Sequence, residues 1–260
     1  MIGSLGQSLS ETASEVNRVT LLTRIALSIL PNLGLGLVGF YARAFDRSGL
    51  LAGVILGSVM TYAFGAGGFF VLLGFVVLGS AATRIKFREK NGQGISEPAA
   101  GKKTWRNALG NLAVPAFGAL VAILRPMPEP MPVLGVFFTA ALATAAFDSV
   151  ASGFGKAFSR TSLTLHDLKV REAGVPGGIS AVGTISGAVA AAALALLAFG
   201  FHLVSGGMIG YIVLAGVLAT AAKSLLKSAA GLRAPQVANI VNTLLGGLLA
   251  ALFWTGVHGV

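Results

Sequence analysis

The chain has 260 residues, of which 55% are hydrophobic and 11% charged, with a mean hydropathy of +0.82 and a net charge of +10. A soluble domain carries about 25% charged residues, so this composition excludes a soluble enzyme, a disordered chain and a coiled coil, and leaves a polytopic membrane protein. With no cysteine, the chain has no disulfide framework, no thiolate metal centre and no Cys nucleophile.

Residues 1–24 are polar and mixed in charge, with Glu11, Glu15, Arg18 and Arg24. They lack the order of a signal peptide and read as a lead-in to a single transmembrane domain over 25–260. Eight apolar runs follow, near 25–41, 49–64, 68–83, 107–124, 132–156, 179–201, 207–226 and 236–257. The second and third are short and meet at Gly65-Ala66-Gly67-Gly68. Two tilted helices or a re-entrant pair both fit, so the count is seven or eight. These runs do not alternate as barrel strands do. The expected fold is therefore all-α, a polytopic transmembrane helix bundle packed through its 36 glycines and many alanines.

Loop charge gives a topology. With eight spans, one side holds 16 of the 19 Lys and Arg, and the other holds Arg18, Arg24 and Arg125. By the positive-inside rule the basic loops near 84–106 and 157–178 face the cytoplasm of a multi-pass protein in the cell (inner) membrane. Attraction of anionic headgroups or phosphate substrates is a second use of the same charge. Nucleic acid is not an expected partner, because no aromatics are interleaved with the basic residues.

Asp148 is the acid that follows an unbroken apolar run and continues into helix-compatible sequence. An acid in or at the rim of a span costs about 2.5–3.5 kcal/mol on insertion scales, and is a functional candidate by default. Thr144, Asp148, Ser152 and Lys156 recur every four residues and form one helical stripe. The stripe offers a carboxylate for Mg²⁺, hydroxyls, and an ammonium for phosphate oxygens. Gly153 and Gly155 permit close approach of a phosphate or of another helix. A helix end with a snorkelling lysine fits the same spacing.

The next loop ends in Gly174-Val175-Pro176-Gly177-Gly178-Ile179-Ser180 and opens a span through Gly183 and Thr184. Glycines before a helix N-terminus, with Ser180 and Thr184 one turn apart, suit an anion cradle or an ordinary N-cap. Asn111 enters the fourth span from the basic loop and either links helices or binds a ligand, while Asn239 and Asn242 start the last span just after Lys223 and Lys227, where the group could grip phosphates or serve as caps and topology charges. His166, His202 and His258 are scattered, which does not suit zinc.

The segment Phe147-Asp148-Ser149-Val150-Ala151-Ser152-Gly153-Phe154-Gly155-Lys156, followed by Gly174 to Thr184, resembles an integral membrane family that includes the plant phytyl-phosphate kinase. Ala82-Thr83-Arg84-Ile85-Lys86 and Asn111 to Pro115 are similar to two further motifs of that family. The resemblance covers about residues 35–255. It departs at Lys223 and Asn239, where many members carry Asp, and at Val182, where some carry Glu.

The resemblance implies a kinase that moves a phosphoryl group from a nucleoside triphosphate, CTP in particular, to an isoprenoid monophosphate such as phytyl phosphate. Asp148 would hold Mg²⁺ and act with Lys156 and Lys86 in catalysis. Ser152, Gly153, Gly155, Gly177, Gly178, Ser180, Gly183, Thr184, Asn111, Asn242 and Lys223 would bind phosphates. Two alternatives stand beside it. One is another CTP-dependent lipid enzyme, a prenol kinase or cytidylyltransferase. The other is a non-catalytic transporter, flippase or scaffold, which the missing acids favour.

Overall fold

A computed structural model of the chain describes residues 2–92, 94, 101–125, 132–229 and 234–258, with side chains from residue 19 onward. Residues 93 and 95–100 of the basic loop, and Arg233 of the charge count, lie outside the described residues. The helices are α1 Ile2–Tyr41, α2 Arg47–Arg84, α3 Phe87–Gly92, α4 Trp105–Leu124, α5 Pro132–Phe158, α6 Ala181–Gly200, α7 Met208–Ala229 and α8 Pro235–His258. All except α3 contain a stretch long and apolar enough to cross a membrane, which makes seven.

The seven-or-eight ambiguity resolves at Gly65. This residue sits inside α2 at φ 60°, ψ −146°, a conformation open to glycine and strained for residues with a Cβ. There the chain doubles back. A Cβ built on Gly68 would lie 2.6 Å from the Met60 carbonyl oxygen, and one on Gly57 would lie 2.9 Å from Leu72 Cδ2. Arg84, at the far end, donates to the carbonyl of Ala42, just before the near end. One 38-residue helix is thus an antiparallel pair of short arms, and the bundle makes an even number of passes.

Parity puts the C-terminal ends of α1, α2, α5 and α7 and the N-terminal ends of α2, α4, α6 and α8 at one end of the bundle, the basic end. At that end Asp46 caps α2, its carboxylate accepting from Gly49 N at 2.7 Å. Lys90 donates to the Ala82 and Thr83 carbonyls at 3.3 and 3.2 Å, serving the last turn of α2.

α5 is the axis. Of its most apolar 18-residue window 78% is buried, against 17–39% for the other spans. Lipid gives helices little hydrophobic reason to associate, so close backbone approach does the work. A Cβ on Gly183 of α6 would stand 2.6 Å from the Ala151 carbonyl, and one on Gly187 would stand 2.8 Å from that of Phe147. Gly246 of α8 leaves its space to the Thr144 side chain. Any larger residue at these positions pushes a neighbouring helix off α5.

The expectation of an all-helical chain is met except in the 157–178 loop, which folds into a small sheet of order β2-β1-β3. β1 is Thr161–Thr164, β2 Lys169–Glu172 and β3 Gly178–Ile179. Thr161 to Thr164 alternate exposed and buried, the period-two pattern of a half-buried strand. Asp167 holds the β1–β2 turn by accepting from Thr164 Oγ1 at 2.5 Å and Arg171 Nη2 at 2.6 Å. The Thr164 hydroxyl and the Arg171 guanidinium keep its carboxyl well below the usual carboxylate range. β3 leads into α6, and Gly177 before it (φ 76°) packs against the backbone of Ser224 and Ser228 in α7.

Candidate functional site

At the basic end α4, α5, α6, α7 and α8 enclose a cavity of about 500 Å³. α5 contributes Asp148, Ser149, Ser152, Gly155 and Lys156, so the stripe read from the sequence does face a cavity from Asp148 onward. Thr144, one turn deeper, is fully buried in the core instead. The sheet and the α6 N-terminus supply Gly177, Gly178, Ser180, Gly183 and Thr184. α4 adds Asn107 and Asn111, α7 adds Thr220, Lys223, Ser224 and Lys227, and α8 adds Asn239. Lys103 closes the wall from the segment before α4.

Among the described residues that line this wall, Asp148 is the one acid, and it faces a lysine. Lys223 Nζ lies 2.5 Å from Asp148 Oδ2 and 2.8 Å from Asn239 Oδ1, with the two charged side chains 8% and 18% exposed. Both partners are thereby satisfied, which a charge this far from water requires. Four ammonium groups (Lys103, Lys156, Lys223, Lys227) line the wall with this one carboxylate, a formal surplus of three positive charges. A cleft with walls of low dielectric focuses such a field and concentrates anions. Asn107, Asn111, Ser149 and Ser152 add neutral donors for oxygens.

The donor set does not fit a metal held by the protein alone. Asp148 is its single carboxylate, an ammonium already occupies one oxygen, and the other charged groups nearby are cations. Among the described residues no three of His, Cys, Asp or Glu come together. Hard divalent ions are held by several oxygens, with carboxylates supplying the charge.

Three residues expected at the site lie elsewhere. Lys86 is 3.2 Å from Glu89 and sits over the Phe158 ring, away from the cavity wall. Gly153 faces α2, where a Cβ would stand 2.7 Å from the Ala82 carbonyl. Asn242 is 1% exposed and accepts from Thr220 Oγ1 at 3.4 Å, linking α8 to α7. Two of the expected cradle residues serve α6: Ser180 Oγ accepts from Gly183 N at 3.2 Å as an N-cap, and Thr184 Oγ1 donates to the Ser180 carbonyl.

Sequence reasoning did not single out Lys103. A backbone strap carries it to the site: Asp46 N donates to the Lys103 carbonyl at 3.1 Å, and Lys103 N donates to Ala44 O at 2.8 Å. A Cβ on Gly49 would collide with that carbonyl, so only glycine lets the strap lie this close to α2. The strap pairs Phe45 with Lys103 across 58 positions, too far apart for a local signal.

Fold and site together define a multi-pass helical membrane protein with a cationic cavity at one end of its bundle. The chain belongs to the family described as Integral membrane protein DUF92, which matches residues 31–252. It is 32% identical over 200 residues to an uncharacterised membrane protein of Synechocystis, covering 75% of this chain and 77% of that one. It is 27% identical over 214 residues to the chloroplast protein VTE6 of Arabidopsis thaliana, covering 80% of this chain and 64% of that one. An uncharacterised membrane protein of Methanocaldococcus jannaschii is 27% identical over 244 residues, 92% of this chain and 98% of that one. No solved structure matches the chain.

Proposed function

We propose that this protein is a membrane phosphotransferase that moves the terminal phosphoryl group of a nucleoside triphosphate, CTP in particular, onto an isoprenoid monophosphate of the phytyl phosphate type. The observation that carries the reading is the cavity's surplus of ammonium groups, set at the end of the helices where a lipid's phosphate would emerge from the bilayer. The likeness to VTE6, the plant phytyl-phosphate kinase, supports it.

In this reading the basic end faces the cytoplasm, where nucleotides are. Magnesium arrives as part of the nucleotide substrate, bound by its phosphates. A phosphate oxygen of the lipid attacks the terminal phosphorus. The new P–O bond forms as the bond to the nucleoside diphosphate breaks. Lys103, Lys156 and Lys227 offset the charge that accumulates on the oxygens, and positioning supplies most of the acceleration. Asp148 orients Lys223 and keeps that ammonium at the cavity wall.

A second reading rests on the ion pair itself. With its one carboxylate engaged, the cavity could bind lipid phosphates without transferring anything to them. The deciding experiment incubates purified protein with phytyl phosphate, magnesium and CTP or ATP labelled in the terminal phosphate, then resolves the lipids. Labelled phytyl diphosphate is the expected product. Its absence in a preparation that binds phytyl phosphate would overturn the kinase reading in favour of a binding protein.

A further inference from the structure

A second, apolar cleft of about 70 Å³ lies between α1, α2 and α4. Its floor is Leu72 and Phe75 of α2 and Leu112 of α4, and Asn32 of α1 closes one end. Lys103, Asn107, Asn111 and Ser149 line both this cleft and the cationic cavity, so the two meet along one polar wall.

We infer that the cleft receives the part of a hydrocarbon chain nearest to a phosphate, and so selects lipid phosphates over soluble ones. This rests on the phosphate-binding reading of the cationic cavity above. A cation-lined cavity joined to an apolar cleft fits a molecule with an anionic head and an apolar tail, because each half leaves water for a surface of its own kind. Leu35, Gly53 and Ala108 on the cleft wall are half-buried, so it reaches the outside of the bundle. In a membrane that outside is lipid, and the remainder of a long chain continues into it.

The cleft also has room where a side chain is missing. A Cβ on Gly53 meets nothing within 4 Å, and one on Gly79 meets only Ser149 Cβ at 3.9 Å. A side chain begun at either position meets no atom closer than 3.9 Å at its Cβ, so it projects into the cleft. Both glycines lie in helix interiors, where a larger residue also improves helix propensity.

The test measures affinity for phytyl phosphate and for methyl phosphate by titration calorimetry on the purified full chain in detergent. The wild type is expected to prefer phytyl phosphate, and Gly53→Leu to narrow that ratio at least tenfold. Gly34→Leu, an open position outside the cleft, is expected to keep the ratio. Should Gly53→Leu not purify folded, Gly79→Leu is read in its place. An unchanged ratio in the filled variant, or no preference in the wild type, overturns the cleft assignment. A wild type that binds neither probe overturns the cleft and the phosphate reading together. A wild type that binds with the expected ratio but transfers no phosphoryl group overturns the kinase reading and leaves the cleft standing.

Discussion

The basic loop around α3 and the cationic cavity hold the charges that a sequence reading notices first, and the structure treats them oppositely. Lys86 stands at the surface, 40% exposed, against a Glu89 that is 63% exposed. Lys223 is 8% exposed and meets Asp148 from a helix 75 positions away. The dense run of charge lies on an exposed loop whose ion pair is worth about 0–1 kcal/mol. The sparse charges inside the helices are costly to keep there, which is what makes them the candidate site.

The comparison can be broken most decisively at the ion pair. Removing one partner of a buried pair costs about 3–5 kcal/mol, because the other is left uncompensated. Asp148→Asn and Lys223→Met are each expected to lower stability by about 3 kcal/mol in a denaturant titration in detergent. The double variant is expected to lose less than the sum of the two. Additive losses would mean the pair is not coupled, and the contrast with Lys86 would collapse.

A smaller effect sharpens the other side of the cavity. Lys156→Ala removes one of the ammonium groups that line the cavity. Affinity for phytyl phosphate should fall about tenfold, the scale of one charge-assisted hydrogen bond. An unchanged affinity would move the anion away from α5.

In the loop itself, Lys86→Ala should change stability by less than about 0.5 kcal/mol and leave phosphate affinity as it was. A loss of affinity would return Lys86 to the site. The smallest effect belongs to the sheet. The Asp167 carboxyl is held below its ordinary value, so its contribution is complete above the unfolded pKa of about 3.9 and is lost as pH falls further. Hydrogen exchange at the Lys169 amide, which donates to Asp167 at 3.3 Å, should quicken in Asp167→Asn near neutral pH. Equal protection in the two proteins would show that strand pairing alone holds the turn.

Much of the fold was legible because the signals are local: length, hydropathy and loop charge are read a segment at a time. The α5 stripe was legible for the same reason, since four-residue spacing needs no partner to define it. Gly153 shows where that reasoning stops. It lies two residues from Gly155, roughly 200° around the helix, so one faces α2 and the other α6. Composition alone could not tell them apart. Lys223 was legible as a departure from the family pattern. Its pairing with Asp148 was not, because that depends on how α7 is rotated against α5. Lys103 was missed because the strap that delivers it is made of backbone hydrogen bonds, which any sequence can form.

The turn at Gly65 acts as a parity bit. Every pass after it inherits its sidedness from that one reversal. Were α2 to cross the bilayer once as a straight rod, fourteen of the sixteen basic-side residues, all those after Arg47, would change sides relative to Arg43 and Arg47. The cavity walls would survive the inversion, since α4 to α8 would turn over together. Lys103 would not reach them, because its strap to the α1–α2 turn would have to span the membrane. A single torsion that only glycine adopts without strain therefore decides, during insertion, whether one end of the protein can be assembled at all.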